Sequence, residues 1–428
     1  MVRRAAMHSR AAMHRPGVRL LVLCSLVFLL LVTLSGCWDV AEIDHRAFIT
    51  SVGVDMAGDD KVEVIARSPI PRSVAGGGTM GGGGGGGPTF VLYSAKGSTV
   101  AQAMGALGEV TDKSIDLGHL REIIIGEELA RRGVGQILDD IFRTSLADAT
   151  AIILVSKGKA RDLMGISPPV EVFPVAYVER YLHKDGLDVA TSARVEVWNA
   201  YSMAWTPSRE LFLPRIIGFR GKPPKGGQGG GGGDGGGQGG AKTPQSPKSQ
   251  DRLVISGFGI FRDNKLVGWL ERNDATAFVW TMGLGKGGYV VVDISDKVPG
   301  KKATIMMTYV RVAKRVRKEG DNYRISLAFK VTGNLQGTEG THLVVKGRRG
   351  HEIHKLIKER TEKKIELMVK SMIHKLQRDL KTDAVSFGEL VRRAYPREWS
   401  AKAWDDIFPG VKVDVKVSAS ITELNVLH

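Results

Sequence analysis

Hydrophobic positions along the chain follow two spacings, and the spacing changes from one segment to the next. Short alternating or continuous apolar runs predict strands. In the first half these runs lie at 47–54, 62–68, 90–96, 121–126, 150–156 and 211–219. Apolar residues at steps of three and four predict helices at 99–110, 134–144, 174–182 and 193–201. Continuous apolar strands around a helix, as in 121–156, predict a βαβ-like element that is covered on both faces.

The second half combines a hairpin, longer strands and one long helix. Residues 254–270 predict a hairpin, because Asp263-Asn264 has the residues of a turn between two apolar runs. Further strands are predicted at 289–295, 303–316, 323–335 and 411–421, and helices at 273–282, 352–380 and 387–394. The helix at 352–380 carries one apolar stripe. The pattern predicts a multidomain α+β fold of mixed α/β domains, with antiparallel-rich sheets and one long amphipathic helix in the C-terminal domain.

The N-terminus has the pattern of a secretory signal that ends in a lipidation site. Five arginines precede an apolar run at 20–34, and no acidic residue lies in or before that run. Leu34-Ser35-Gly36-Cys37 closes the run as a lipobox, with small residues before a cleavage point at Cys37. The Cys37 thiol is the nucleophile there that can take a lipid as a thioether. The run is shorter than the ~20 residues of a membrane span, which favours a lipid anchor over a retained transmembrane helix.

Two glycine-rich tracts then divide the chain. Residues 76–88 lie between strand-like runs, so we interpret them as a flexible Gly-rich insertion in a loop. Residues 221–250 are rich in glycine and proline and are long enough to separate domains. The predicted segments are a lipoprotein signal peptide (1–36), an N-terminal α/β domain (37–220), a Gly/Pro-rich linker (221–250) and a C-terminal α+β domain (251–428).

Charge and cysteine content narrow the classes of function. The net charge is +16, and five of these positive charges belong to the arginines of the leader. A basic protein held at a membrane is attracted to anionic headgroups, whereas the export signal argues against nucleic acid as a partner. The two cysteines are Cys24, inside the leader, and Cys37. A mature chain would therefore have no disulfide and no thiolate metal site.

Few residues have the spacing of a catalytic or cofactor site. Gly283 to Gly288 fits a GxGxxG pattern, but a predicted helix precedes it and a strand follows, the reverse of a dinucleotide site. His351, Glu352 and His354 lack the HExxH spacing of a zinc site, which favours a solvated helix start. We therefore predict no catalytic residue, no metal ligand and no cofactor.

Two further groups of residues have both a binding and a structural interpretation. A basic group on the predicted hairpin would touch headgroups or an acidic partner, or would be ordinary solvated surface, which we favour. Its members are Arg311, Lys314, Arg315, Arg317 and Lys318. Trp399, Trp404 and Phe408 are interpreted as core residues that flank a docking helix rather than as a binding platform.

Motifs in both halves of the chain resemble those of one protein family. The N-terminal motifs are Cys37-Trp38-Asp39-Val40-Ala41-Glu42-Ile43, Ala47-Phe48 and Val52-Gly53-Val54-Asp55. The C-terminal motifs are the glycine hairpin from Gly257 to Leu270, Lys375-Leu376-Gln377, Phe387-Gly388, Pro396, Trp399, Trp404 and Phe408-Pro409. In combination and order they resemble the spore germination receptor C-subunit lipoproteins, the Ger(x)C family. The stretch from Asp383 to Ser386 departs from the more apolar approach to Phe387-Gly388 in that family.

The resemblance implies a lipid-anchored, non-enzymatic subunit of a nutrient germinant receptor. Its partners would be the integral membrane A and B subunits, together with membrane lipid through acylated Cys37. It would lie on the outer face of the inner spore (cytoplasmic) membrane and act in receptor assembly and signalling. Two alternatives stay open. An extracytoplasmic solute-binding lipoprotein needs a pocket with converging polar groups, and an envelope hydrolase needs a titratable cluster in a cleft.

Overall fold

The chain divides by its contacts into two units, Met1–Arg46 and Ala47–His428. The computed structural model describes residues 16–34, 45–70, 89–143, 148–167, 174–183, 190–219, 251–285, 287–297, 302–338 and 347–423. In the first unit, helix α1 spans Pro16–Leu34, and its residues 20–30 are exposed. No helix in the described part of the chain is both long enough and apolar enough to cross a membrane.

Two large sheets and the helices that cover them form most of the second unit. The strands are β1 (Arg46–Phe48), β2 (Ser51–Met56), β3 (Val62–Pro69), β4 (Phe90–Gly97), β5 (Ser114–Asp116), β6 (Glu122–Ile125), β7 (Ile152–Ser156), β8 (Phe212–Phe219), β9 (Arg252–Arg262), β10 (Lys265–Leu270), β11 (Tyr289–Asp293), β12 (Lys302–Glu319), β13 (Asn322–Thr338) and β14 (Lys412–Glu423). The helices after α1 are α2 (Val100–Ala106), α3 (Glu127–Arg132), α4 (Gly135–Arg143), α5 (Ala160–Met164), α6 (Pro174–His183), α7 (Val197–Trp205), α8 (Arg272–Met282), α9 (Gly347–His374), α10 (Phe387–Ala394) and α11 (Ala401–Ile407).

The larger sheet has eight strands in the order β10-β9-β8-β7-β6-β2-β3-β4. Its centre is parallel, because β2 pairs with β6, β6 with β7 and β7 with β8 in that sense. Alternate residues of the central strands enter different cores: Ile123 packs with the cluster that contains Leu138, and Ile124 with the cluster that contains Leu163. The predicted βαβ-like element, covered on both faces, is confirmed.

Strands from both sides of 221–250 belong to this sheet. β8 ends at Phe219 and pairs antiparallel with β9, which begins at Arg252. β9 continues into β10 through Asp263-Asn264, both with positive φ, as a two-residue hairpin turn requires. The predicted hairpin is therefore present, but it forms an edge of the sheet that begins in the N-terminal segment. Residues 221–250 and the insertion 76–88 lie outside the described residues, and the division into domains at 221–250 stays a prediction.

One predicted helix is displaced. The spacing predicts a helix at 193–201, whereas α7 begins at Val197. The preceding residues run extended beside β7, where Ile153 donates its N–H to the Val195 carbonyl and Ile152 pairs with Glu196. Pairing with a buried strand satisfies these backbone groups and overrides the helical spacing.

The second sheet has four strands in the order β11-β12-β13-β14. β12 and β13 form a long antiparallel hairpin, while β14 pairs with β13 in parallel. Helix α9 covers one face with the predicted apolar stripe, in which Ile357, Ile365 and Val369 are fully buried. The helix begins five residues earlier than predicted and ends in a π-helical turn at 375–379. Helices and mixed sheets together confirm the α+β class.

Candidate functional site

The lipobox begins at the last residue of α1. Leu34 ends this helix, and Ser35, Gly36 and Cys37 lie outside the described residues. The other cysteine, Cys24, is exposed on α1. Lipidation of Cys37 stays a prediction.

The motif Val52-Gly53-Val54-Asp55 joins β2 to α5, whereas the earlier motif from Cys37 to Ile43 lies outside the described residues. Gly53 lies against this helix, where an added Cβ would stand 3.0 Å from the Met164 Cγ. The buried Asp55 carboxylate accepts the backbone N–H groups of Ala160 and Arg161, each at 2.8 Å. Burial raises the pKa of Asp55, and these two hydrogen bonds oppose that rise. Gly53 and Asp55 thus have packing roles.

The C-terminal motifs meet in one place, which we call the motif junction: the β9–β10 hairpin together with residues 375–411. Gly268 faces Leu380, and a Cβ at Gly268 would lie 2.5 Å from the Leu380 Cδ2. The Thr382 hydroxyl donates to the Phe261 carbonyl at 2.8 Å. Motifs that lie more than a hundred residues apart in the sequence are therefore direct neighbours.

Gln377 fixes the end of the long helix within the motif junction. Its Nε2 donates to the carbonyl oxygens of Phe408, at 2.9 Å, and Val411, at 2.8 Å. These acceptors lie at the turn that leads into β14. One side chain thus holds the end of the long helix to the start of the last strand.

Asp383 lies at the centre of the motif junction and is 6% exposed. Its carboxylate accepts the N–H groups of Phe387 at 2.9 Å, Gly388 at 2.5 Å and the Trp404 indole at 2.9 Å. Burial raises the pKa of Asp383 to about 7, against the opposing effects of these donors and of Lys314. Sequence reasoning noted Asp383 only as a departure from the family. The signal available was an acidic residue just before a predicted helix start, which is typical of a cap.

Gly388 and Trp404 are two further motif residues, and they contact each other. An added Cβ at Gly388 would stand 2.7 Å from the Trp404 Nε1, so only glycine lets the indole reach this depth. Trp404 and Phe408 are buried, as predicted, and their rings lie 6.0 Å apart. Trp399 is half-buried. The core interpretation is confirmed for Trp404 and Phe408.

Glu389 connects the motif junction to the segment before β8. Its carboxylate accepts the Ser208 hydroxyl at 2.5 Å and forms ion pairs with Arg392 and Arg393. The Arg392 guanidinium is the main cause that lowers the pKa of Glu389 to about 2, and Ser208 adds to it. The sequence showed no pairing signal between Ser208 and Glu389, because the residues are far apart along the chain.

A groove of about 540 Å³ opens beside the motif junction. Its walls carry charges of both signs, with Arg262, Asp263, Gln377, Arg378, Lys381, Asp405, Asp406 and Pro409 as lining residues. Next to it, burial raises the pKa of Glu210 to about 8, with Asp263, Asp405 and Asp383 adding to the rise. Glu210, Asp263, Asp405 and Asp383 thus form a cluster of titratable groups beside the groove.

The free energy of unfolding is expected to fall as pH rises, because the buried Glu210 carboxyl resists ionisation in the folded chain. The pKa of about 8 in the folded chain lies well above the ordinary pKa of a glutamate side chain, so ionisation of this carboxyl opposes folding as pH rises between the two values. Between pH 5 and pH 9 the parent chain should lose on the order of 4 kcal/mol of unfolding free energy through this group, and the Glu210→Gln variant should not show that loss, since Gln stays neutral. Urea unfolding at both pH values measures this. An unchanged pH slope in the variant would contradict the expectation, and Glu109→Gln, an exposed site, serves as the control.

The pleat of β12 divides the basic group of the hairpin. Arg311, Arg315 and Arg317 lie on the exposed side of the sheet. Lys314 and Lys318 lie on the side of the helices, where the Lys314 Nζ stands 5.9 Å from the Phe387 ring centroid and Lys318 pairs with Glu398. Burial lowers the pKa of Lys314. The group is thus neither one patch nor wholly solvated.

The remaining candidates from the sequence are the GxGxxG stretch and the two histidines, His351 and His354. Gly283 ends α8 in the left-handed conformation and β11 follows, so the GxGxxG stretch is a loop between helix and strand, as predicted, with Lys286 outside the described residues. His351 and His354 lie near the start of α9. Among the described residues, no group of three His, Cys, Asp or Glu side chains is placed to hold a metal ion.

Comparisons with known proteins agree on both halves of the chain. Residues 39–217 match the family model of the spore germination protein N-terminal domain. Residues 256–425 match that of the spore germination B3/GerAC-like C-terminal domain. YfkR of Bacillus subtilis is 26% identical over 407 residues, with 95% of this chain and 97% of that protein covered. Spore germination protein KC of Bacillus subtilis is 25% identical over 412 residues, with 94% and 96% covered.

A solved structure supports the fold. The crystal structure of the GerBC protein superposes with a TM-score of 0.52 at 18% identity, covering 90% of this chain and 99% of that one. The two family matches lie on either side of the glycine-rich segment, and the C-terminal one includes the motifs that meet at the motif junction. The chain belongs to the Ger(x)C family of spore germination proteins.

Proposed function

We propose that the chain is the lipid-anchored C subunit of a nutrient germinant receptor, acting in receptor assembly and signalling during spore germination. The observation that carries this proposal is the family match over both halves of the chain. The packing and capping roles of the motif residues fit a protein that acts through its surfaces rather than through catalysis. Its partners would be the integral membrane A and B subunits.

The lipobox supports the membrane position. A diacylglyceryl group on Cys37 would hold the chain on the outer face of the inner spore membrane, because each buried methylene contributes ~0.8 kcal/mol. Confinement to the membrane raises the effective concentration of the chain near its membrane partners. The anchor thus supplies proximity, and the folded unit supplies the contacts.

The Cys37→Ala substitution tests the anchor. We expect the variant to leave the spore membrane fraction, to lose co-purification with the A and B subunits and to slow nutrient germination. Cys24→Ala is the matched control, because Cys24 lies within the leader. Normal membrane retention together with normal germination in the Cys37→Ala strain would refute the anchor.

The solute-binding alternative finds little support in the groove beside the motif junction. Small-molecule sites are mostly apolar with a few converging polar groups. The groove is lined mainly by charged residues of both signs. Calorimetry of the chain with amino acids and sugars decides this point, and saturable binding would favour the alternative.

A further inference from the structure

The side of the four-stranded sheet that faces away from α9 is exposed to solvent, and we call it the open face. Its residues are those of β11–β14 that alternate with the buried positions. The register aligns Arg311 with Lys330, Arg315 with Ser326 and Arg317 with Arg324 across β12 and β13. Side chains of the three long strands therefore form regular rows on one face of the sheet.

This surface carries an excess of unpaired positive charge. Arg311, Arg315, Arg317, Lys330 and Lys416 form no salt bridge within the described residues, where the ion pairs on this face of the hairpin tip involve Arg324 instead. Arg324 already pairs with Asp414, the acidic residue of β14 on this face. Arg324 thus holds the carboxylates of Glu319 and Asp414, and the five cations form no ion pair of their own within the described residues.

The arrangement is costly unless something neutralises it. Arg311 and Lys330 stand directly opposite each other, and like charges at such positions destabilise a sheet. Neighbouring strands lie ~5 Å apart, less than the ~8 Å over which physiological salt screens a charge, so the potentials of these cations add. From Arg311 to Arg317 the patch extends about 20 Å along β12.

The centre and one end of the open face suit a flat, partly apolar surface. Ala313 pairs with Ala328 in the middle of the array, so nothing bulky projects between the cations. Beyond the cations lie Tyr309, Tyr289 and Val291, which are 40%, 51% and 47% exposed. Tyrosines beside basic residues are typical of segments that lie at the headgroup level of a bilayer.

We propose that the open face docks on the surface of an anionic phospholipid bilayer. The cations contact the headgroup phosphates, and Tyr309, Tyr289 and Val291 enter the headgroup layer. The inference rests on the proposed function only in that an anchor at Cys37 keeps the sheet near a membrane. Docking would then set the orientation of the folded unit, which a single lipid attachment point does not fix.

Vesicle flotation with the full chain tests the proposal. All proteins carry Cys37→Ala, so that lipidation plays no part, and the vesicles contain phosphatidylcholine with or without phosphatidylglycerol. The face variant combines Arg311→Gln, Arg315→Gln and Lys330→Gln. The control variant combines Lys358→Gln, Lys364→Gln and Arg397→Gln, three exposed cations outside the open face with the same change in net charge.

We expect the face variant to lose roughly 100-fold of the phosphatidylglycerol-dependent partitioning, about fivefold for each cation. The control variant should keep most of it, and raising the salt concentration should weaken the binding of the parent chain. Removing the Arg311–Lys330 repulsion should leave the melting temperature of the face variant unchanged or higher, which separates lost docking from misfolding.

Equal losses in the two variants would overturn the proposal, since net charge alone would then explain the binding. An unchanged face variant would overturn it as well. If that variant instead lost co-purification with membrane proteins, the face would belong to an acidic protein surface and not to lipid. Failure of the lipid anchor has a different readout, the membrane fraction of the Cys37→Ala strain, so the two proposals can fail separately.

Discussion

The Trp404→Ala variant should lose about 3–5 kcal/mol of the free energy of unfolding. The indole is 5% exposed and lies against Gly388, Tyr323 and Phe408, so its removal leaves a cavity. It also removes one of the three N–H donors to the buried Asp383 carboxylate. The cavity and the lost hydrogen bond both lower the free energy of unfolding. Denaturant unfolding followed by far-UV circular dichroism measures the change.

Trp205→Ala is the matched control for this experiment. Trp205 is 56% exposed at the end of α7, so we expect a change within about 0.5 kcal/mol. Similar losses in the two variants would show that the motif junction does not depend on the buried indole. The comparison distinguishes the effect of losing a buried indole in the motif junction from the effect of losing any tryptophan.

Gly257→Ala should destabilise the chain by about 3 kcal/mol, the second large effect. Gly257 has φ +86, which L side chains rarely adopt, and an added Cβ would stand 2.4 Å from the Leu270 carbonyl oxygen. Because this contact is with backbone, no rotamer change can relieve it. The β9–β10 hairpin would have to shift at the place where it carries the family motif.

Gly320→Ala separates the two causes. Gly320 also has positive φ, +62, but an added Cβ would find no atom within 4 Å. This variant should therefore show the conformational cost alone, about 1 kcal/mol. The difference between the variants in denaturant unfolding is the cost of the clash with Leu270. Equal losses at the two glycines would contradict that account.

The periodic elements were predictable from local spacing. The strands β6 and β7 have continuous apolar runs, at 123–125 and 152–155, because both faces are buried, and α9 is apolar on one stripe because one face is. The division of the basic group of β12 was also implicit in the sequence, since alternate residues of a strand face opposite sides. Lys314 and Arg315 therefore face opposite sides of the sheet simply because they are adjacent along the strand.

The pairings were not predictable in the same way. Alternation shows which side of β14 is buried, but it does not show that the strand lies parallel beside β13. The eight-stranded sheet likewise takes β9 and β10 from beyond the glycine-rich segment, where the sequence predicts a new domain. Neighbour relations depend on the total burial of many faces at once, and no single segment contains that information.

By itself, the sequence determined the α+β class and the family motifs, because each depends on residues that are close along the chain, and it predicts a leader with a lipobox from the same kind of local pattern. Only the tertiary structure decided what the C-terminal motifs do. Asp383 is an acidic residue in the sequence, and it becomes the acceptor of three N–H groups only when Trp404 folds over Gly388. Hydrogen bonds and close contacts of this kind join residues far apart in sequence, and their geometry exists only after the core has packed.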